Sequence, residues 1–264
     1  MEQEKIDKIK AAVKGNFEKS PDLYQRFEDE HGFFRKLNER LLRLMDPPHG
    51  ADILDVGCGT GASCLQILDA VPVCRVRGLD ISPAMLEQAR ARMGESERLV
   101  LVEGDASRLA DYFDDRFDAV VYSASLFLVP DFRESLNQAR SLLKAGGAVG
   151  ITFMEGVFDA EGRNLIAEAD LIAREGVSLR KPVRLDELQL FFSETFPDHL
   201  FETAEIGLPL NVLQEFFTIP AMSASLFPKL EYPERVRKIA RVFAHIPVNR
   251  PFFRWILMVG RKGE

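Results

Sequence analysis

The stretch Ile53-Leu54-Asp55-Val56-Gly57-Cys58-Gly59-Thr60-Gly61-Ala62 is a short apolar run that breaks into a glycine-rich turn. Ile53, Leu54 and Val56 suit a buried strand, and the apolar spacing that follows the turn, through Leu65 and Ile67, suits a helix. Glycine has no Cβ, so Gly57, Gly59 and Gly61 let the main chain approach a ligand closely at the N-terminus of that helix. Taken alone, the turn is ambiguous. Gly57, Gly59 and Ala62 also satisfy the G-x-G-x-x-G/A dinucleotide fingerprint, with Asp80 about twenty residues on, as a nicotinamide cofactor requires.

Working outward, the alternation of strand and helix continues. Strands are expected at 76–79, 99–102, 117–122 and 148–153. Ser82 is the N-cap and Pro83 the first residue of a helix, a helical turn lies near Leu109, and a helix over 131–143 is closed by Gly146 and Gly147. Upstream, Phe33, Phe34, Leu37, Leu41, Leu42 and Leu44 recur at helical spacing until Pro47, Pro48 and Gly50 stop the pattern. Downstream, helical stretches at 157–175 and 184–195 precede a β-like run at 201–206, a helical insert fills 210–246, and an apolar strand at 252–259 closes the chain. Strands that alternate with helices imply a mostly parallel sheet covered on both faces.

Composition narrows the function classes. The chain has 264 residues, 46% hydrophobic and 28% charged, which is enough apolar material for one large core, and a net charge of −7 that opposes broad capture of nucleic acid. A local basic excess, Lys229, Arg235, Arg237, Lys238, Arg241, Arg250 and Arg254, reads as a solvated face or as a dock for an anion. The N-terminus carries early charges in place of a signal-peptide core, and no run approaches the ~20 apolar residues that span a bilayer, so a cytoplasmic protein without membrane contact is expected. Cys58, Cys64 and Cys74 are odd in number and lack paired spacing, which suits structural thiols and no metal.

Four further segments decide between the readings of the glycine turn. Together with 54–61, the segments Gly78-Leu79-Asp80-Ile81-Ser82-Pro83-Ala84-Met85-Leu86, Glu103-Gly104-Asp105-Ala106, Leu142-Leu143-Lys144-Ala145-Gly146-Gly147 and the run 117–131 resemble the motifs of class I S-adenosylmethionine-dependent methyltransferases of the small-molecule type. The resemblance covers residues 51–155 in order and spacing. It implies an α/β fold: a three-layer, doubly wound, mostly parallel seven-stranded sheet, with 1–50 as a helical N-terminal cap and 51–155 as a Rossmann-like cofactor-binding core. Residues 156–264 then complete the core, with helical insertions at 156–195 and 210–246 on the acceptor side.

The resemblance also implies roles for single residues. Asp80 accepts both ribose hydroxyls through its two oxygens. Asp105 accepts from the adenine amino group, the Ala106 amide donates to the ring, and Gly104 precedes them. Asp55 orients the loop of Gly57, Cys58, Gly59 and Gly61 and faces the cationic amino end of the cofactor. Ile81 and Met85 pack on adenine or ribose, backbone groups near Ser123 and Ala124 hold the amino acid end, and Tyr24 covers the cofactor from the cap. The implied cofactor is S-adenosylmethionine, with S-adenosylhomocysteine as product.

Methyl transfer from a sulfonium needs little beyond in-line placement of the acceptor, so no catalytic residue is assigned. Phe127 and Leu128 stand where relatives often carry His. Candidate acceptor-side groups are Glu155, Tyr122, Tyr232, His199 and His245, and the apolar segment 213–227 suits a lid over an apolar or anionic small molecule. Two other readings stand beside this one. A nicotinamide-dependent oxidoreductase fits the overlapping fingerprint but lacks a Tyr-x-x-x-Lys dyad after the fourth strand, and a non-catalytic S-adenosylmethionine-binding protein fits every motif. Nucleic acid is disfavoured as acceptor, since 122–125 reads Tyr-Ser-Ala-Ser in place of an Asn-Pro-Pro-Tyr-like motif.

Overall fold

A computed structural model describes residues 2–94, 96–179 and 181–263. Helices α1 (Glu2–Phe17), α2 (Pro21–His31) and α3 (Phe33–Met45) precede β1 (Asp52–Val56), α4 (Ala62–Ala70), β2 (Arg75–Asp80), α5 (Pro83–Met93) and β3 (Leu99–Glu103). Then follow β4 (Phe117–Tyr122), α6 (Phe132–Leu142), β5 (Leu143–Phe158), α7 (Leu165–Ala173), α8 (Leu185–Thr195) and β6 (Asp198–Gly207). The chain ends with α9 (Leu210–Thr218), α10 (Pro220–Leu226), α11 (Tyr232–Phe243) and β7 (Phe252–Arg261).

The seven strands form one sheet in the order β3-β2-β1-β4-β5-β7-β6. β1 to β5 pair in parallel, and β7 runs antiparallel between β5 and β6. The central strands are apolar on both faces, so β1 buries everything from Ile53 to Val56 and β4 everything except Asp118. β3, at the sheet edge, leaves Val100 half exposed. From β1 the chain goes outward to β2 and then returns to β4 on the other side, so the carboxyl ends of β1 and β4 part and open a crevice.

The last third departs from the expected boundaries. α6 ends at Leu142 without a glycine cap, and Gly146 and Gly147 belong to β5. The cause lies far along the chain: Gly146 N–H donates to the Lys262 carbonyl at 3.0 Å, and Lys262 N–H donates to the Gly147 carbonyl at 2.9 Å. β5 also runs past Phe153 because β7 supplies a partner as far as Phe158↔Phe252, after a register shift at Met154/Gly156. The helix expected from 157 therefore starts only at Leu165, where Asn164 caps it by accepting from Ala167 N–H at 3.0 Å.

α3 lies on the sheet itself. A Cβ on Gly150 of β5 would sit 2.1 Å from the Met45 sulfur, so glycine is what allows this approach. Phe33 stacks on Phe253 at 5.3 Å, and Phe34 meets Trp255 edge-on at 6.1 Å. Phe27 meets Phe216 at 5.3 Å, so one aromatic cluster joins α2, α3, α9 and β7. Such pairs add about 0.5–1.5 kcal/mol each beyond the area they bury. Among the described residues, no helix is long and apolar enough to cross a membrane.

Candidate functional site

The crevice is built from the ends of β1, β2 and β4. After Val56 the chain turns at Gly57, whose N–H donates to the Leu79 carbonyl at 2.7 Å; the Cys58 N–H shares that acceptor at 3.1 Å. Gly57 has φ +76, and a Cβ there would lie 2.5 Å from the Ser125 Cβ. Ser125 in turn donates its hydroxyl to the Val56 carbonyl, so the loop after β4 is tied to the end of β1.

Asp80 ends β2 and braces the same loop. Its Oδ2 accepts from Gly59 N–H at 2.9 Å and its Oδ1 from Ser82 N–H at 2.8 Å. Each oxygen keeps a second lone pair. Burial pushes this carboxyl above the usual range, and the amide donors hold it down. Ser82 caps α5 as expected, accepting from Met85 N–H at 3.4 Å.

Twelve of the expected residues line one cleft: Tyr24, Gly57, Cys58, Gly59, Asp80, Ile81, Met85, Gly104, Asp105, Ala106, Ser123 and Ala124. Asp55 and Gly61 lie elsewhere. Asp55 is fully buried behind the loop, accepting from the Ser63 hydroxyl and from Cys64 Sγ at 3.2 Å in the first turn of α4. It braces that helix start and does not face the cleft. Its Oδ1 has no partner among the described residues, and burial pushes its carboxyl up to about 6. Gly61, at φ +78, opens α4 with its Cα turned to α5, where a Cβ would meet the Met93 methyl at 2.4 Å.

The rim beside Asp105 holds a lysine that the sequence reading passed over. Lys10 Nζ on α1 lies 3.0 Å from Asp105 Oδ2 and 2.8 Å from Asp131 Oδ2. The other oxygen of Asp105 accepts from both the Ser107 N–H and its hydroxyl at 2.9 Å. These donors outweigh burial and hold the Asp105 carboxyl below its usual range. Ala106 is anchored through its carbonyl, which accepts from Ser135, itself 2.8 Å from the Tyr122 hydroxyl.

At the other end, Ser123 donates to Asn38 at 2.6 Å, Asn38 to Gln66 at 2.6 Å, and Gln66 to Glu28 at 3.2 Å. Glu28 also accepts from Phe34 N–H and Arg35 N–H, so one buried carboxylate caps α3 and anchors the chain that reaches the cleft. Tyr24 stacks on Phe34 at 5.3 Å. Asn38, Phe34 and Lys10 were missed because side chains on two separate N-terminal helices, α3 and α1, share no local motif with the cleft loops.

A second chamber adjoins the first, sharing Val13, Phe17 and Leu128 with it. Phe217, Ala221 and Leu226 of the expected lid segment line it, as do Glu155 and a second unforeseen lysine, Lys181. The other acceptor-side candidates are placed apart from it. Tyr122 is buried against Ser135, Tyr232 donates to the Thr218 carbonyl, His199 bonds Ser193 and the Phe196 carbonyl, and His245 is exposed. Much of the basic excess is internal: Lys238 and Arg241 meet Glu175, Arg235 binds Asn16, and Arg254 meets Glu205.

Residues 53–147 match the family model of the methyltransferase domain. The core of this chain is similar to a methyltransferase domain. The match spans the glycine turn and gives no support to the oxidoreductase reading of that fingerprint. Among curated relatives, the chain is similar to the demethylmenaquinone methyltransferase of Bacillus licheniformis, 33% identical over 140 residues, or 52% of this chain and 60% of the relative. The chain thus spans about three fifths of that relative's length. Among solved structures, the YcgJ protein from Bacillus subtilis superposes with TM-score 0.61 at 17% identity, over 89% of this chain and 100% of that one. The phosphoethanolamine N-methyltransferase 2 of Haemonchus contortus, in complex with S-adenosylhomocysteine, gives TM-score 0.55 at 20% identity, over 87% of this chain and 53% of that one. At these identities the likeness shows the fold alone, a seven-stranded Rossmann-like α/β sheet flanked by helices.

Proposed function

We propose that this protein is an S-adenosylmethionine-dependent methyltransferase whose acceptor is an apolar small molecule held in the second chamber. The observation that carries the reading is Asp80, buried at the carboxyl end of β2 with both oxygens oriented by backbone amides and a lone pair of each left for a ligand. That arrangement fits a vicinal diol such as a ribose. The remaining walls fit the same cofactor: Ile81, Leu128 and Val129 offer apolar surface beside Ala106 for a purine, and the Gly57–Gly59 backbone allows close approach. Asp105 fits less simply, since Lys10 and Ser107 already engage both of its oxygens.

When bound, the cofactor supplies a methyl group activated by a cationic sulfur. The protein's own part is placement and exclusion of water. Asp80 fixes the diol, Tyr24 and Phe17 of the N-terminal helices close over the cleft, and Val13, Phe17 and Leu128 form the junction where the acceptor meets it. The name of the curated relatives, demethylmenaquinone methyltransferase, supports a ring-bearing apolar acceptor, as do the largely apolar chamber walls. Three buried cysteines that are free thiols fit a cytoplasmic protein.

Calorimetric titration with S-adenosylhomocysteine tests the cofactor, and methyl transfer from labelled S-adenosylmethionine to a panel of hydroxylated bicyclic aromatics tests the reaction. Micromolar binding with transfer to at least one panel member is the expected result. No binding to a folded protein would remove the reading, and binding without any transfer would favour a non-catalytic cofactor-binding protein.

A further inference from the structure

The second chamber is lined mostly by apolar residues, with Asn16, Asn164, Ser178 and Ser225 as uncharged polar groups. Among its described lining residues, only Glu155 and Lys181 carry charge. Lys181 directs two of its three donors at main-chain oxygens of β5, the Met154 carbonyl and the Glu155 carbonyl, and its Nζ stands 5.3 Å from the Phe153 ring. The third N–H has no protein acceptor among the described residues. Glu155 turns its carboxylate toward Arg254 at 3.9 Å, and no ion pair within 4.0 Å joins it to Lys181. Arg254 in turn meets Glu205 at 2.8 Å and lies over the Phe158 ring, so Glu155 is only loosely engaged. A cation with a donor to spare and a carboxylate with free lone pairs thus share one wall of a chamber whose other described lining residues are uncharged.

We propose that this wall seats the acceptor by a hydroxyl on an aromatic or enolic ring, with Lys181 donating to the hydroxyl oxygen and Glu155 accepting its proton. The proposal rests on the methyltransferase reading of the adjoining cleft. The chemistry selects the ligand. A carboxylate placed there would face Glu155, and an ammonium would face Lys181, each at an electrostatic cost; a hydroxyl is donor and acceptor at once and satisfies both. Its activation is a balanced proton transfer. The acceptor O–H bond breaks, the proton passes to the Glu155 carboxylate, and the electron pair stays on the oxygen, where the Lys181 ammonium faces the new negative charge. Burial brings the Lys181 amine down to about 8, which makes its ammonium a stronger hydrogen-bond donor to the hydroxyl oxygen, and an oxyanion beside it draws it back up. The charged groups facing this pair from the packed elements are Arg254 of β7 and, behind it, Glu205 of β6.

The test compares 2-naphthol with 2-methoxynaphthalene, the same ring without the hydroxyl proton, by fluorescence titration of the wild type, Lys181→Met and Glu155→Gln. The wild type is expected to prefer 2-naphthol by about tenfold, and each variant to bring the two ligands within about twofold. The pH midpoint for ionisation of bound 2-naphthol is expected below its free value in the wild type and not in Lys181→Met. Equal affinity of the wild type for both rings, no binding of 2-naphthol, or a preference that survives both substitutions would overturn the proposal. S-Adenosylhomocysteine titrated into all three proteins keeps the two readings apart. If it binds equally to all while the naphthol preference is missing, only this proposal falls; if it binds to none while the preference persists, the cofactor reading falls and the hydroxyl site stands.

Discussion

Asp80 carries two burdens that a substitution can separate. Its carboxylate holds the Gly59 and Ser82 amides, and it is the group proposed to take the ribose. Asp80→Ala removes both roles and is expected to weaken S-adenosylhomocysteine binding at least about thirtyfold, the scale of one or two lost charge-assisted hydrogen bonds. Asp80→Asn keeps one acceptor and is expected to lose less; calorimetry that found Asp80→Ala unchanged would dissociate this residue from the cofactor. Gly57 is constrained by space as well as by φ, since its Cβ position lies 2.5 Å from the Ser125 Cβ. Gly57→Ala is expected to cost about 2–3 kcal/mol in urea unfolding, with partial recovery in Gly57→Ala/Ser125→Gly. An unaltered unfolding midpoint for Gly57→Ala would show that the turn relaxes freely.

Elements differ in how far the sequence reveals them, and the reason is where their partners lie. β1, β2 and β4 were legible because they are central, covered on both faces and bounded by local turn chemistry; Asp80 ends β2, and Asp105 follows the short edge strand β3. The end of α6 was not legible. Gly146 and Gly147 look like a helix stop, yet their hydrogen-bond partner is Lys262, at the far end of the chain. The long β5 was hidden for the same reason, since its extension to Phe158 exists only because β7 folds back beside it. In the site, glycines and carboxylates with local motifs were readable, whereas Lys10, Asn38 and Lys181 enter through tertiary packing alone. α1 gives the clearest test at this scale. Lys10 joins it to Asp105 and Asp131, so Lys10→Met leaves two carboxylates without their shared cation at the cleft rim. S-Adenosylhomocysteine affinity is expected to fall roughly three- to tenfold as α1 loosens, a modest loss because this pair network is partly solvated. Affinity that rose would mean that Lys10 competes with the ligand for Asp105.

At the scale of the whole molecule, the buried acids give the fold a pH dependence. Asp55, Asp80 and Glu28 are all raised by burial, so the folded state holds their protons more tightly than the unfolded chain does. Asp52 and Asp105 are lowered, chiefly by the Arg75 hydrogen bond in the first case and by Ser107 and Lys10 against burial in the second, and they act in the opposite sense, losing stability as pH falls. For Asp55 the sign can be followed in full. Below its unfolded value near 3.8 both states are protonated and the residue is neutral in effect; as pH rises toward about 6, only the unfolded chain ionises freely, and stability drains away. Above that point the loss is constant, about 3 kcal/mol for a shift of roughly two units. Burial is the root of this cost, and Oδ1, which has no partner among the described residues, leaves part of the charge uncompensated. Asp55→Asn keeps an acceptor for Ser63 and removes the charge. In urea unfolding of the ligand-free protein, its stability relative to wild type is therefore expected to climb between about pH 4 and pH 6 and then level off. A difference that stays flat across that window would mean that Asp55 titrates normally, and that the turn of α4 hydrates it in a way its burial does not suggest.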